Sequence, residues 1–146
     1  MNSKNIIRSL NNSQVKHLIM LQTKSKTRND QLEFIIEGIK LYEEAKEDGV
    51  IVKTYYSETF YRETNKEHDY EKIEHNEFDY EIIKDSIFKE ISDTISPQGI
   101  MAIVKMPKND ISDIIGNDNK NKVKIMLLED IRDPGNLGTI IRTAEG

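Results

Sequence analysis

Apolar positions change their period several times along the chain, and each change marks a predicted element. Val15, Leu18, Ile19 and Gln22 fall at i, i+3, i+4 and i+7, so a mostly apolar stripe runs down a helix that Ser13 can cap. Lys16 and Lys24 fall outside that stripe and stay in water. Residues 24–30 (KSKTRND) hold no apolar side chain and read as an exposed basic loop. The run LEFII at residues 32–36 suits a short buried strand, and Glu37-Gly38 interrupts it. Ile39, Tyr42 and Ala45 then share one helix face, and Gly49 suits the position just past the helix end. Residues 50–56 return to strand composition. A strand, helix, strand order implies a parallel α/β arrangement.

Residues 57–77 are polar and acidic and carry no assignable pattern. Phe78, Tyr80 and Ile82 alternate with polar residues as in a half-buried strand, and Asp85 can cap a short helix reaching Ser92. Pro97, Gln98 and Gly99 form a turn that feeds an apolar strand at residues 100–105, where the first domain ends. Residues 107–122 resemble a connection, with Asp110 capping one helical turn and NDNKN supplying turn-prone residues. The run VKIMLL at residues 123–128 has the continuous apolar character of a central parallel strand. Pro134 and Gly135 then force a turn, Asn136 is a good N-cap, and residues 137–144 are helical in composition.

The chain has 146 residues, enough for one domain and a piece of another. No run approaches the roughly 20 apolar residues of a membrane span, and the N-terminus lacks a secretory signal's apolar core, so a cytoplasmic location is expected. With no cysteine, disulfides, thiolate catalysis and cysteine zinc sites are excluded. His17, His68 and His75 are scattered, so no metal site is expected; the last two lie in an acidic stretch and are solvated. The net charge of -5 conceals an asymmetry. Lys4, Arg8, Lys16, Lys24, Lys26 and Arg28 are followed by the first acidic residue only at Asp30. A basic arm on an acidic body points to a phosphate-rich partner, unless it is simply a solvated helix face. Tyr55, Tyr56 and Tyr61 could stack on unpaired bases or pack in the core.

The strand, tight loop and helix around residues 123–144 place a helix N-terminus where parallel α/β sheets bind anions. Asn136, Thr139 and Arg142 are spaced by three, so an amide, a hydroxyl and a guanidinium lie near one another on one helix face. By itself such a turn also fits a plain helix start with a surface arginine. The longer string LLEDIRDPGNLGTIIRTAEG closely resembles the first signature motif of the SpoU (TrmH-like) branch of the SPOUT RNA methyltransferases. Upstream, Ser3, Asn5, Lys16, Arg28, Phe34, Glu37-Gly38 and SDTISPQGIMAIV resemble the N-terminal substrate-binding domain that precedes the catalytic domain in many of these enzymes.

The resemblance implies residues 1–106 as an RNA substrate-binding domain, 107–122 as a linker and 123–146 as the start of a catalytic domain. Its fold would be a three-layer α/β/α sandwich similar to a ribosomal protein, followed by the first strand and helix of a trefoil-knot α/β domain. It also implies methyl transfer from S-adenosylmethionine to a ribose 2′-hydroxyl, ribosomal RNA as the favoured partner over transfer RNA, and a homodimer formed through the knotted domain. Asn136 and Arg142 match the family's catalytic asparagine and arginine. A reference pKa of about 12.5 makes a neutral guanidine cost on the order of 8 kcal/mol at pH 7, so Arg142 is expected to act electrostatically and not as a base. Lys16, Lys24, Lys26 and Arg28 are the candidate RNA contacts. The motifs that form the methyl-donor pocket are not within these residues, so donor binding and activity by the chain alone are not expected. A stand-alone RNA-binding or assembly module is the alternative. A nucleotide-binding domain is disfavoured because no glycine-rich phosphate loop is present.

Overall fold

The computed structural model describes residues 6–66, 78–108 and 125–145. Ser3, Asn5, His68, His75, Asp110 and most of the predicted connection at 107–122 lie outside the described residues. The chain divides into two compact units, Met1–Pro107 and Lys108–Gly146.

The first unit runs α1 (Ser13–Thr23), α2 (Ser25–Gln31), β1 (Glu33–Glu37), α3 (Ile39–Glu47), β2 (Ile51–Ser57), α4 (Glu58–Lys66), β3 (Tyr80–Ile83), α5 (Asp85–Ile91) and β4 (Ile100–Lys105). The sheet order is β1-β4-β2-β3. β4 is antiparallel to both β1 and β2, and β2 is parallel to β3. β1 and β2, both antiparallel to β4, therefore run parallel to each other as the strand, helix, strand order of β1, α3 and β2 implied, but β4 lies between them. β4 enters between them because its run Ile100 to Val104 is buried throughout, and such a strand needs cover on both edges and both faces.

Alternation along β4 divides the core into two layers. Met101 and Ile103 face Val15, Leu18 and Leu21 of α1 and Ile87, Phe88 and Ile91 of α5. Ile100, Ala102 and Val104 face Tyr42 and Ala45 of α3, with Phe60 and Tyr61 of α4 packed alongside. Helices thus cover both sheet faces, the three-layer α/β/α arrangement the sequence pointed to. Each fully buried aliphatic side chain here contributes about 1.5–3 kcal/mol of burial. Tyr55 and Tyr56 are core residues, each 1% exposed. Burial pushes both phenols up, which suits core residues and not base-stacking platforms.

Local signals explain most element ends. α1 is capped by Asn12, whose side chain accepts from the Gln14 N–H at 2.8 Å, so Ser13 is the first helical residue and not the cap. α3 ends as expected at Gly49, with φ +64. There the Val50 N–H donates to the Ala45 carbonyl and the Gly49 N–H to that of Lys46, the paired bonds of a Schellman closure. Asp85 departs from expectation. It begins α5, but its carboxylate reaches across to α4 and accepts from the Thr59 N–H at 2.9 Å and the Thr59 hydroxyl at 2.8 Å. Helix α4 thus has two caps: Ser57 Oγ, just before it, accepts from the Phe60 N–H at 3.2 Å, and Asp85, 26 residues downstream, takes the Thr59 N–H. Burial alone would raise the Asp85 pKa; the Thr59 bonds, a bond from Ser57 and the Arg62 charge outweigh it and hold the carboxyl below its ordinary value.

In the second unit, residues 125–133 run without β pairing among the described residues, and Ile125, Met126, Leu127 and Leu128 are exposed. The expected strand over 123–128 begins outside the described residues, and its described part, 125–128, is unpaired among them. α6 (Pro134–Glu145) follows.

Candidate nucleic-acid interface and reaction corner

The segment expected to be a basic loop is helical. α2 starts immediately after Lys24, which has an extended backbone (φ -119, ψ 105), and ends at Leu32, held in the left-handed region at φ 55. Two tertiary contacts supply what propensity does not. His17 Nε2 meets Gln31 Oε1 at 2.7 Å, and Arg28 folds back over α1. The Arg28 Nη1 donates to the carbonyls of Leu21 and Gln22, both at 2.8 Å. Those carbonyls belong to the last turn of α1, where a helix presents unpaired acceptors and the negative end of its dipole. Arg28 is therefore half-buried as a C-terminal cap of α1, whereas Lys16, Lys24 and Lys26 are exposed. No acidic residue lies in the described chain before Asp30, so α1 and the start of α2 carry basic but no acidic side chains of their own; Glu81 of β3 reaches α1 only at Gln14, at 3.2 Å, among the hydrogen bonds of the described residues.

Two linked motifs frame the far end of β1. Glu37 accepts from the Ser92 hydroxyl, from the Thr94 hydroxyl at 2.7 Å and from the Asp93 N–H at 3.3 Å. Gln98 Oε1 accepts from the Ile39 N–H at 2.9 Å. Gly38 adopts φ +103, and a Cβ there would lie 2.9 Å from that same Gln98 oxygen. The Glu37-Gly38 pair and the SDTISPQG loop thus interlock, although more than 50 residues separate Glu37 from Ser92. Their resemblance to a family signature gave no hint that they touch.

In the second unit, α6 begins at Pro134, three residues before the predicted start at Leu137. Asp133 is the cap: its Oδ1 accepts from the Asn136 N–H at 2.9 Å and its carbonyl from the Leu137 N–H at 3.2 Å. Proline at the first helical position gives up no hydrogen bond, which moves the start upstream. A Cβ on Gly135 would stand 2.9 Å from the capping oxygen, so a larger residue there would push the Asp133 side chain off its cap position. The Asp-Pro-Gly string was the signal for this cap. Asn136 and Arg142 are both exposed. Arg142 Nη2 donates to the Thr139 hydroxyl at 3.3 Å, and Thr139 in turn donates to the Gly135 carbonyl at 2.9 Å. The structure therefore joins Arg142 to Thr139; among the described residues no hydrogen bond joins Arg142 to Asn136. Arg132 pairs in bidentate fashion with Asp130 at 2.7–3.1 Å, which raises its pKa.

Among the described residues no His, Cys, Asp and Glu group is arranged to hold a metal, and no helix is long and apolar enough to cross a membrane. Residues 12–102 match the MRM3-like substrate binding domain. The chain is 33% identical over 139 residues to the 23S rRNA (guanosine(2553)-2′-O)-methyltransferase RlmP of Bacillus subtilis, covering 95% of this chain and 50% of that protein. It is 30% identical over 122 residues to the human mitochondrial rRNA methyltransferase 3, covering 82% of this chain and 28% of the relative. Among solved structures, an rRNA methyltransferase from Sinorhizobium meliloti aligns over 96% of this chain and 50% of its own, with TM-score 0.65 and 26% identity. A putative TrmH-family RNA methyltransferase from Porphyromonas gingivalis aligns over 93% and 48%, with TM-score 0.60 and 27% identity. The chain thus spans half or less of the length of these curated relatives. By its matched domain and these relatives, it belongs to the MRM3-like substrate-binding domain family of the SpoU (TrmH-like) RNA methyltransferases.

Proposed function

We propose that this chain is the RNA-holding portion, with the opening motif of the catalytic portion, of an rRNA 2′-O-ribose methyltransferase that uses S-adenosylmethionine. The observation that carries this is the cluster of exposed lysines on α1 and at the start of α2, with no acidic residue in the described chain before Asp30, on a domain that matches a substrate-binding family. Residues 1–106 bind RNA, 107–122 connect and 123–146 begin the catalytic domain. Lys16, Lys24 and Lys26 neutralise phosphates from exposed positions and release counterions on binding. Arg28 contributes through the guanidinium N–H groups that its cap of α1 leaves available. Ribosomal RNA is favoured over transfer RNA because the relatives' names specify rRNA. The bacterial relative fits a cytoplasmic enzyme, and dimerisation through the catalytic half is part of the same proposal.

At the corner, Arg142 holds a phosphate beside the target ribose and stabilises the alkoxide that develops as the 2′-hydroxyl loses its proton. Thr139 sets the guanidinium, while Asn136 orients the ribose by hydrogen bonding. S-adenosylmethionine, when bound, supplies the methyl group. Asn136, Thr139 and Arg142 are solvent-exposed, and two grooves among the described residues are lined by side chains from 21 to 106. Mapping 2′-O-methylation across ribosomal RNA in cells with and without the full gene tests this reading. One ribose position should lose its methyl group on deletion; an unchanged map would refute the assignment.

A further inference from the structure

β1 is an end strand of the sheet, and its ladder phase fixes which groups remain open. The Gly38 N–H donates to the Ile100 carbonyl and the Met106 N–H to the Leu32 carbonyl. Residues 32, 34, 36 and 38 therefore face β4. Glu33, Ile35 and Glu37 turn their N–H and C=O groups outward, where no backbone partner is found among the described residues. All five residues of β1 are partly exposed, in contrast to the five buried residues of β4. A groove of about 720 Å³ runs along this open edge. Leu21 and Arg28 wall it on the α1 side, Leu41 on the α3 side and Met106 at one end, while Glu37 and Asp93 close the other. Leu41 is 48% exposed and Leu32 at the strand entrance is 38% exposed.

We propose that this edge accepts an extended peptide as an added strand, one that carries an apolar residue flanked two positions away on each side by lysine or arginine. The backbone of Glu33, Ile35 and Glu37 supplies the ladder, and alternate side chains of the guest settle toward Leu21 and toward Leu41. Charge selects the guest. Pairing with a second copy of β1, centred on Ile35, would set Glu33 against the partner strand's Glu37 at both ends, a like-charge pairing that disfavours self-association. Cationic residues at those two positions reverse the sign. The groove's own cation, Arg28, has Nη1 tied to the α1 carbonyls, while Glu37 and Asp93 place negative charge at the far end of the groove, where a cationic guest residue is favoured over a phosphate.

The probe is acetyl-Lys-Val-Val-Val-Lys-amide, added to the chain up to millimolar concentration while amide exchange is followed by NMR. Protection should rise at Glu33, Ile35 and Glu37 but not at Phe34 and Ile36. Exchanging both lysines for glutamates should weaken binding roughly tenfold, since two cross-strand pairs change sign. N-methylation of the first, third and fifth peptide residues should abolish it. Leu41→Asp, on an exposed helix face, should weaken binding at least fivefold with an unchanged circular dichroism spectrum. Unaltered exchange at the three amides, equal binding of the glutamate or N-methylated peptide, or the same protection produced by a short uridine oligomer would each overturn the assignment.

Discussion

Replacing Arg28 by alanine separates two roles that a sequence alone cannot tell apart. In the structure its guanidinium satisfies two carbonyls of the last α1 turn at 2.8 Å each, from a half-buried position. A hydrogen bond to a charged group contributes about 1.5–3 kcal/mol, and a cation at a partly shielded helix C-terminus up to about 2 kcal/mol. These overlap, and water recovers part of the loss, so Arg28→Ala should cost about 2 kcal/mol. In urea, with a slope of about 1–1.5 kcal/mol/M for a domain of this size, the midpoint should fall by roughly 1.5 M. Arg28→Lys should recover less than half, because one ammonium does not present the planar fork that meets two carbonyls together. Lys26→Ala, two residues away and exposed, should change stability by less than about 0.5 kcal/mol. Equal urea midpoints for Arg28→Ala and Lys26→Ala would refute the capping argument.

Gly99→Ala should destabilise the first unit by about 3 kcal/mol in the same assay. Its φ is +91, and a Cβ would stand 2.6 Å from the Phe60 Cβ and 2.7 Å from the Ser57 Oγ; a loss under about 1 kcal/mol would mean that the turn yields easily. Asp85→Ala should cost about 1 kcal/mol as a lost cap of α4. Because the folded-state pKa of Asp85 is lowered, its contribution is present above the unfolded value near 4 and disappears as pH falls through the folded value. The wild-type advantage over the alanine variant should therefore shrink below about pH 4, and an advantage that grew with acid would contradict the assignment. Titration calorimetry of the 146-residue chain with S-adenosylmethionine should show no saturable heat, whereas low-micromolar binding would place a donor pocket within these residues.

Much of this architecture was legible because it is written locally. The apolar run Ile100 to Val104, the face formed by Tyr42 and Ala45, and Gly49 at the end of α3 each follow from period or backbone chemistry within a few residues. What escaped was set by partners far along the chain. Helix α2 has no apolar stripe and exists because Arg28 and His17 tie it to α1. The second cap of α4 comes from Asp85 in addition to the local Ser57, and the order of the sheet from the last strand taking an inner position. At the reaction corner the sequence indicated the helix and its candidate residues, but the Asp-Pro-Gly string placed the cap at Asp133, and Asn136 moved into the first turn. Asn136 and Arg142 stand exposed on that helix, and their assignment to catalysis rests on the match to a family motif.

The claim that α1 and α2 hold RNA is tested most directly by the salt dependence of affinity. A single-stranded fragment of ribosomal RNA should bind the wild-type chain with a log K that falls linearly with log salt. Lys16→Glu, Lys24→Glu and Lys26→Glu together should lower the magnitude of that slope by about 2, at roughly 0.7 for each phosphate no longer neutralised. The urea midpoint of this triple variant should stay near that of the wild type, since none of the three side chains is buried. An unchanged slope and affinity in the folded triple variant would contradict the account.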